Sequence, residues 1–335
     1  MPLSTTFLRT AGTLLSPAGR TAPLTVLMYH RVLESPDPLT GAVDARHFEL
    51  QMRALREYFR VLPLTEAVNR LGAGKLPSRA VSITFDDGYA DNAVVALPIL
   101  KAHSLHATFF VADGFLNGGR MFNDTVIEAV RRIPRSVELG VAGLPPALPA
   151  GSIAEKRDAV ARILRVAKYL EPAERSLAVE RIARLADGAL PDDLMMTDEQ
   201  VRVLVKAGME VGGHTVNHPI LSSVDLETAR REIELNRRRL GAITGKVPVL
   251  FAYPNGVPGK DFDFRHTQLV RMAGYEAAVT TSWGAARPGC DPYQLPRFTP
   301  WDHDPKRFAL RLLHNLIARR PQLLSSDSSA ERTVA

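Results

Sequence analysis

Short apolar runs alternate with segments of helical periodicity in the first third of the chain. Residues 24–29 and 80–85 are nearly unbroken runs of strand-forming residues, as in strands buried on both faces. Residues 106–111 form a third run of this kind. Residues 48–59 and 91–100, which precede the second and third runs, carry apolar side chains at helical spacing. This order of strands and helices predicts βαβ units and therefore a parallel sheet.

The same alternation continues after residue 188. Thr197-Asp-Glu-Gln200 has the form of a capping box and predicts a helix that ends at Lys206. Further predicted strands are 208–213, 247–251, 275–279 and 295–298, and further predicted helices are 225–243, 264–273 and 306–318. The pattern predicts an α/β barrel, although 335 residues also allow two domains.

The segment of residues 123–188 interrupts this alternation. It lacks strand patterns and is rich in Ala, Leu, Arg and Glu, with a Pro/Gly-rich kink at residues 143–151. We interpret it as a helical insertion beside the mouth of the barrel, because loops after barrel strands lie on the catalytic face. The barrel is expected over residues 24–320, between a flexible tail at 1–23 and a disordered tail at 321–335.

Composition limits the function classes. Lys and Arg total 42 against 36 Asp and Glu, a net charge of +6, and these charges are spread along the chain. Such a balance favours solvated helix faces over nucleic-acid binding. The single Cys290 excludes an internal disulfide framework and a multi-cysteine zinc site, so any metal must be held by His and carboxylate groups.

Hydropathy gives no transmembrane segment, because no apolar run approaches the roughly 18 residues that a membrane helix requires. The apolar stretch around Leu14 is too short and interrupted for a secretory leader. A cytoplasmic location is the default expectation, and peripheral contact with a membrane stays open.

Polar clusters follow the predicted strands directly: His30, Asp86-Asp87, His214 to His218, Tyr253 to Gly256, and Arg297. In an α/β barrel these positions are the carboxyl ends of the strands, where active sites are built. The sequence therefore predicts that they converge on one face.

A metal site is one interpretation of this convergence. His214 and His218 lie four residues apart, which places both on one face of a helical turn, and an Asp from another strand would complete a three-ligand zinc site with positions open to water. The alternatives are surface histidines and an Asp-Asp-Gly that forms a turn or caps a helix.

Two motifs resemble those of a known family. Thr84-Phe-Asp-Asp-Gly88 and His214-Thr-Val-Asn-His218 are similar to the first two motifs of the NodB-homology polysaccharide deacetylases, carbohydrate esterase family 4. Tyr29-His30 and Phe251-Ala-Tyr-Pro254 are similar to motifs of the branch that includes poly-N-acetylglucosamine deacetylases. The resemblance covers about residues 24–320. It implies a distorted (β/α) barrel of seven strands and metal-dependent N-deacetylation of amino sugars.

The resemblance also implies roles for individual residues. Asp86 would be the general base, and Asp87, His214 and His218 would hold one divalent metal, with zinc as the expected ion. The backbone N–H of Asn255 would stabilise the oxyanion, and Tyr253 is a further candidate substrate contact on the same loop.

Two positions depart from the family pattern. The commoner branch has an Arg at the position of Ala252, beside the base, so this role is either empty here or filled by another residue, for which Arg297 is the candidate. The family's Leu-x-His motif, which supplies a general acid, matches Leu312-Leu-His314 in letters, but helical spacing places this segment inside the last helix. His30, at the end of the first strand, is therefore the preferred acid, with His303 as the alternative.

The sequence thus predicts a hydrolase that removes N-acetyl groups from a saccharide partner, the amino sugars of a polysaccharide or glycan precursor. One alternative is an O-deacetylase or deformylase that acts on a lipid-linked or nucleotide sugar. Another is a saccharide-binding barrel with weak catalysis.

Overall fold

A parallel sheet that curves into a nearly closed barrel forms the centre of the molecule. A computed structural model describes residues 5–138, 144–317 and 321–324. The strands are β1 (Thr25–Tyr29), β2 (Val32–Leu33), β3 (Val43–Asp44), β4 (Arg60–Val61), β5 (Ala80–Phe85), β6 (Thr108–Val111), β7 (Ser136–Glu138), β8 (Ala147–Pro149), β9 (Glu210–Gly213), β10 (Leu250–Ala252), β11 (Ala277–Trp283) and β12 (Leu295–Arg297). The helices are α1 (Thr5–Leu15), α2 (Ala45–Tyr58), α3 (Leu64–Gly72), α4 (Leu97–Ala102), α5 (Phe122–Arg132), α6 (Ile153–Ala167), α7 (Pro172–Arg184), α8 (Asp198–Lys206), α9 (Leu226–Thr244), α10 (Phe264–Met272) and α11 (Pro305–Ile317).

Seven parallel strands make the barrel wall in the order β1-β5-β6-β9-β10-β11-β12, and β4 pairs with β5 beside them. Phe298, directly after β12, closes the ring against β1: its N–H donates to the Val26 carbonyl at 2.8 Å, and its carbonyl accepts from the Met28 N–H at 2.9 Å. The predicted distorted (β/α) barrel of seven strands is confirmed.

Alternate strand residues belong to different apolar clusters, because successive side chains of a strand point to opposite faces. Val26 and Phe110 belong to a cluster that contains residues of several barrel strands together with Leu64 and Leu71 of α3. Leu27 and Phe109 belong to a second cluster, which includes Phe48 of α2 and other helix residues. The barrel is therefore filled inside and covered outside. Among the described helices, none has the length and apolar character needed to span a membrane.

Most predicted elements are present within a few residues of their predicted bounds. The capping box is formed, since the Thr197 side chain accepts from the Gln200 N–H and the Gln200 side chain accepts in return from the Thr197 N–H. Helix α3 and the short pair β2–β3 were missed. The predicted helix at residues 91–100 begins with a π-helical turn, Asn92–Ala96, before α4.

The two predicted tails differ from the structure. Residues 5–15 are helical rather than flexible, because Leu8 of α1 is buried against the α2–α11 side of the barrel. Residues 321–324 lie against the barrel: the Gln322 carbonyl accepts from the Ser282 hydroxyl, and the Leu324 N–H donates to the Gln294 side chain. The remainder of the predicted disordered segment, residues 325–335, lies outside the described residues.

The insertion between β6 and α8 has its own small core. It contains α5, α6, α7 and the antiparallel pair β7–β8, whose described residues do not join the main sheet. Buried apolar residues of these elements form a separate cluster, among them Val130, Ile163 and Ile182. The antiparallel pair was not predicted, and part of the predicted kink, residue 143, lies outside the described residues.

Candidate active site

The carboxyl ends of four barrel strands surround a cavity of about 290 Å³. His30 follows β1, Asp86 and Asp87 follow β5, His214 and His218 follow β9, and Asn255 follows β10. All six residues line this cavity, as the positions of the polar clusters predict. Parallel strands place their carboxyl ends at one edge, so residues distant in sequence meet there.

Asp87, His214 and His218 have the geometry of a metal site. One ligand atom of each lies within 4.8 Å of the others, and the Nε2 atoms of His214 and His218 lie 3.3 and 3.5 Å from Asp87 Oδ1. The Nδ1–H of His214 donates to the Ala252 carbonyl at 2.7 Å, which leaves Nε2 free as a ligand. Burial and the neighbouring His214 lower the pKa of His218 to about 4, so its ring is neutral, as ligation requires. Two nitrogens and one carboxylate suit zinc.

The segment that carries the two histidines is a loop, and the helical turn expected from their spacing is wrong. Thr215 and His218 have positive φ angles of 63° and 51°, which reverse the chain so that the two rings lie 4.7 Å apart. Helix α9 holds this loop in place. Glu232 accepts from the N–H groups of Val216 and Asn217, and the Asn236 side chain accepts from the His214 N–H at 3.0 Å.

Four of the seven described non-glycine residues with positive φ lie at this site: Asp87, Thr215, His218 and Asn255. Such conformations cost about 1–3 kcal/mol each and persist where the surroundings impose them, often at active sites. A β-branched residue such as Thr215 adopts them least readily. The barrel therefore uses part of its stability to hold these loops in a strained form.

Asp86 forms a buried ion pair with Arg297 of β12. Two guanidinium nitrogens of Arg297 donate to the two oxygens of Asp86 at 2.7 Å each, while its Nε donates to the Thr280 carbonyl at 2.9 Å. Both side chains are almost completely buried. Burial by itself raises the pKa of Asp86, but the charge and hydrogen bonds of Arg297 outweigh it and the pKa is lowered. Asp86 is thus an ionised carboxylate beside Asp87, His214 and His218, and Arg297 supplies the arginine that position 252 lacks.

Asn255 lines the cavity in a strained backbone conformation. It has a φ of 59°, and the following turn is fixed because its carbonyl accepts from the Thr281 hydroxyl at 2.7 Å. Among the described residues, none accepts a hydrogen bond from the Asn255 N–H. This N–H is consequently available to an oxygen of a ligand.

Tyr253 does not line the cavity, and the expectation that its side chain contacts substrate is wrong. Its ring is buried in the cluster beneath α10, stacked on Phe262 with 3.8 Å between the ring centroids. Its hydroxyl donates to the Tyr293 carbonyl at 3.0 Å. The side chain of a strand-end residue points inward or outward according to its register, and Tyr253 lies on the outward side.

The three candidate acids occupy different places. His30 is exposed and lines the cavity that contains Asp87, His214 and His218, which we call the metal cavity. His303 lies beside His47, with 3.9 Å between the ring centroids, in a neighbouring cavity that His30 also lines. His314 lies on the exposed face of α11 in a depression with Asp302 and Arg307. Its position therefore favours His30 over His303 and His314 as the general acid.

The insertion contributes residues to the site that the sequence did not reveal. Leu164 and Lys168 line the metal cavity. Asp124, near the start of α5, is buried, and burial together with the charge of Asp87 raises its pKa to about 7. Acidic residues are common in the first turn of a helix, so the sequence gives no reason to single out Asp124. Only the tertiary structure shows that it lies near Asp87.

Comparisons with known proteins agree with this geometry. The family model described as polysaccharide deacetylase matches residues 73–140 and 165–278. Over 92 residues, 27% of this chain, the sequence is 40% identical to YxkH of Bacillus subtilis (strain 168), whose name assigns it to the polysaccharide deacetylases. The matched stretch spans about a third of that curated relative, 32% of its length.

Two solved structures have a similar fold. The deacetylase PplD of Streptococcus pyogenes, in complex with acetate, matches with a TM-score of 0.58 and 21% identity over 88% of this chain and 99% of that chain. IcaB from Ammonifex degensii matches with a TM-score of 0.56 and 22% identity over 89% and 98%. At these identities the likeness is one of fold.

Proposed function

Because the chain belongs to the polysaccharide deacetylase family, we propose that it is a metal-dependent hydrolase that removes N-acetyl groups from amino sugars of a polysaccharide or glycan precursor. The observation that carries this proposal is the placement of Asp87, His214 and His218 within 4.8 Å beside the Arg297-paired Asp86. A three-ligand set with both nitrogen and oxygen fits one divalent ion, for which zinc is our choice.

When bound, the metal supplies a Lewis acid and lowers the pKa of a water. Asp86, kept ionised by Arg297, takes the proton of the attacking water. The Asn255 N–H donates to the oxygen that becomes anionic in the tetrahedral intermediate. His30, at the edge of the same cavity, gives a proton to the departing amine.

The alternative of a weak saccharide-binding barrel loses its main support. It depends on Ala252 leaving the base without an arginine, whereas Arg297 donates two hydrogen bonds to Asp86. The alternative of deformylation releases the same amine and is distinguished by its product, formate instead of acetate, whereas the alternative of O-deacetylation differs in the leaving group. An ester releases its alcohol more readily than an amide releases its amine, so the need for an acid at His30 separates the two.

The test is acetate release from a panel of N-acetylated and O-acetylated saccharides by the full chain reconstituted with zinc. We expect release from the N-acetylated members. Asp86→Asn should retain the metal and lose about 10²-fold or more in rate, while Asp87→Asn should lose the metal. Loss of the metal in Asp86→Asn would mean that Asp86 is a metal ligand and Asp87 the base. Failure to release acetate from any N-acetylated saccharide would refute the proposal.

A further inference from the structure

The ring of the proposed acid, His30, is placed by its backbone. It is exposed and forms no hydrogen bond with another described residue, so no neighbouring side chain orients it. An acid must come within about 3.2 Å of the atom that it protonates, or reach that atom through one water. The backbone of residues 30–32 therefore decides whether His30 can act.

Two buried side chains, Asp91 and Asn92, hold this backbone. The Nδ2 of Asn92 donates to the His30 carbonyl at 2.8 Å, and Oδ1 of Asp91 accepts from the Val32 N–H at 2.9 Å. The second oxygen of Asp91 accepts from the Nε of Arg31 at 2.8 Å. A bond of 3.1 Å from Asn92 to Asp91 joins the two supports. The chain directly after β1 is thus fixed from one neighbouring element.

That element begins with the π-helical turn. The Leu97 N–H donates to the carbonyl of Asn92, five residues before it, where an α-helix would use the carbonyl four residues before. Pro98 explains the change, because it has no N–H for the Val94 carbonyl and its ring would clash with that carbonyl in a regular helix. Turns of this kind are rare and occur frequently at functional sites. Here the turn starts with the side chain that bonds to the His30 carbonyl.

The side-chain amide of Asn92 is used on one side only. Its Nδ2 donates twice, whereas its Oδ1 is buried and has no hydrogen-bond partner among the described residues. A buried acceptor without a partner costs stability. As a core residue Asn92 is therefore poorly satisfied, and what it supplies is the donor to the His30 carbonyl.

We propose that Asn92 is a positioning residue for the acid: by holding the His30 carbonyl it keeps the His30 ring at the metal cavity. Asn92 itself does not line that cavity, so it acts through His30. The Asp86 N–H, on the same segment of chain, donates to the Tyr29 carbonyl at 3.0 Å. One segment thus carries the base Asp86, the metal ligand Asp87 and the support of the acid. The inference rests on the proposed function and deepens it, because it makes proton transfer to the amine depend on a residue outside the cavity.

The test separates proton donation from the rest of catalysis. Zinc-loaded wild type, Asn92→Leu, His30→Ala and the double variant are assayed with the β-1,4-linked and β-1,6-linked tetramers of N-acetylglucosamine and with 4-nitrophenyl acetate, whose phenolate leaves without a proton. We expect Asn92→Leu to lower kcat by about tenfold or more on the tetramer that the wild type deacetylates, and by less than about twofold on the aryl ester. In the His30→Ala background, Asn92→Leu should leave the ratio of the two rates unchanged, because the group that it positions is absent.

A matched control and a second variant keep the test independent of folding. Val95→Ala lies in the same turn, where Val95 packs against the core, and should leave the ratio unchanged. Asn92→Ala, a smaller change, should give the same split between substrates as Asn92→Leu. Hydrogen exchange of a peptide that spans residues 27–34 should be faster in both Asn92 variants than in Val95→Ala, with bound zinc unchanged.

Two results would overturn the positioning role and leave the proposed function intact. One is an equal loss on the tetramer and the aryl ester in the Asn92 variants with zinc retained. The other is an effect of Asn92→Leu on the ratio that persists in full in the His30→Ala background. Failure of the wild type to release acetate from either tetramer would instead overturn the proposed function.

Discussion

Replacing Arg297 with methionine removes the charge that faces Asp86 and keeps an unbranched side chain in the barrel. Arg297 is fully buried, and its two nitrogens lie 2.7 Å from the two oxygens of Asp86. With the charges about 4 Å apart and an effective dielectric of about 20, their attraction is about 4 kcal/mol. Removing one partner of a buried pair typically costs about 3–5 kcal/mol, because the other charge is left uncompensated. We expect Arg297→Met to lower the free energy of unfolding by this amount.

Urea denaturation measures this loss, and a second variant isolates its cause. Asp86→Asn combined with Arg297→Met removes both charges, so the double variant should be more stable than Arg297→Met alone. Equal stability of the two variants would refute the reasoning, because the loss would then come from packing and not from an uncompensated carboxylate.

The same variant should shift the pH dependence of catalysis. Without the guanidinium, burial is opposed less strongly and the pKa of Asp86 rises. The base must be ionised to accept a proton, so activity falls as pH decreases through its pKa. The acid limb of the profile of kcat/KM against pH should therefore move to higher pH in Arg297→Met. An unmoved limb would show that Asp86 is not the base.

Three further predictions concern other residues. His218→Ala should reduce bound zinc severely, as metal analysis after reconstitution would show, and full stoichiometry would contradict the triad. His30→Ala should slow an amide far more than an aryl acetate, whose phenolate leaves without a proton, whereas equal losses in a kinetic comparison would leave His30 a positioning role. Hydrogen bonds from Arg131 hold the pKa of Asp37 below its ordinary value of 3.8, so this pair contributes stability above about pH 4 that is lost as pH falls. Asp37→Asn should thus lower the free energy of unfolding by about 1 kcal/mol at pH 7 and by less near pH 3, and a difference in Tm that widens on acidification would contradict it.

The parts of the fold that local patterns specify were predictable. Strand β5 coincides with its apolar run because every residue of it is buried. Helix α8 begins where the Thr197 capping box predicts. Helix α1 was missed because it has no acidic residue in its first turn and no basic residue in its last. Its packing against α11, more than 290 positions away, is a tertiary contact that local sequence does not encode.

The sequence predicted which residues form the site better than it predicted how they are arranged. Spacing brought His214 and His218 together, but their convergence depends on the left-handed conformation of Thr215, which α9 holds and spacing does not reveal. The direction of the Tyr253 side chain depends on the register of β10 within the barrel. The place of Asp124 beside the site could not be predicted, because it depends on the packing of the insertion against the barrel, where Asp124 accepts a hydrogen bond from Tyr89.

The separate core of the insertion has a consequence for access to the metal cavity. Local opening requires less free energy where fewer apolar residues are buried, and this cluster is much smaller than that of the barrel. Amide hydrogens of α6 and α7 should therefore exchange with solvent before those of β5. Since Leu164 and Lys168 of this unit line one side of the metal cavity, its opening exposes that side while the strands keep the metal residues in place. The cavity is then open to solvent on the side of the insertion as well.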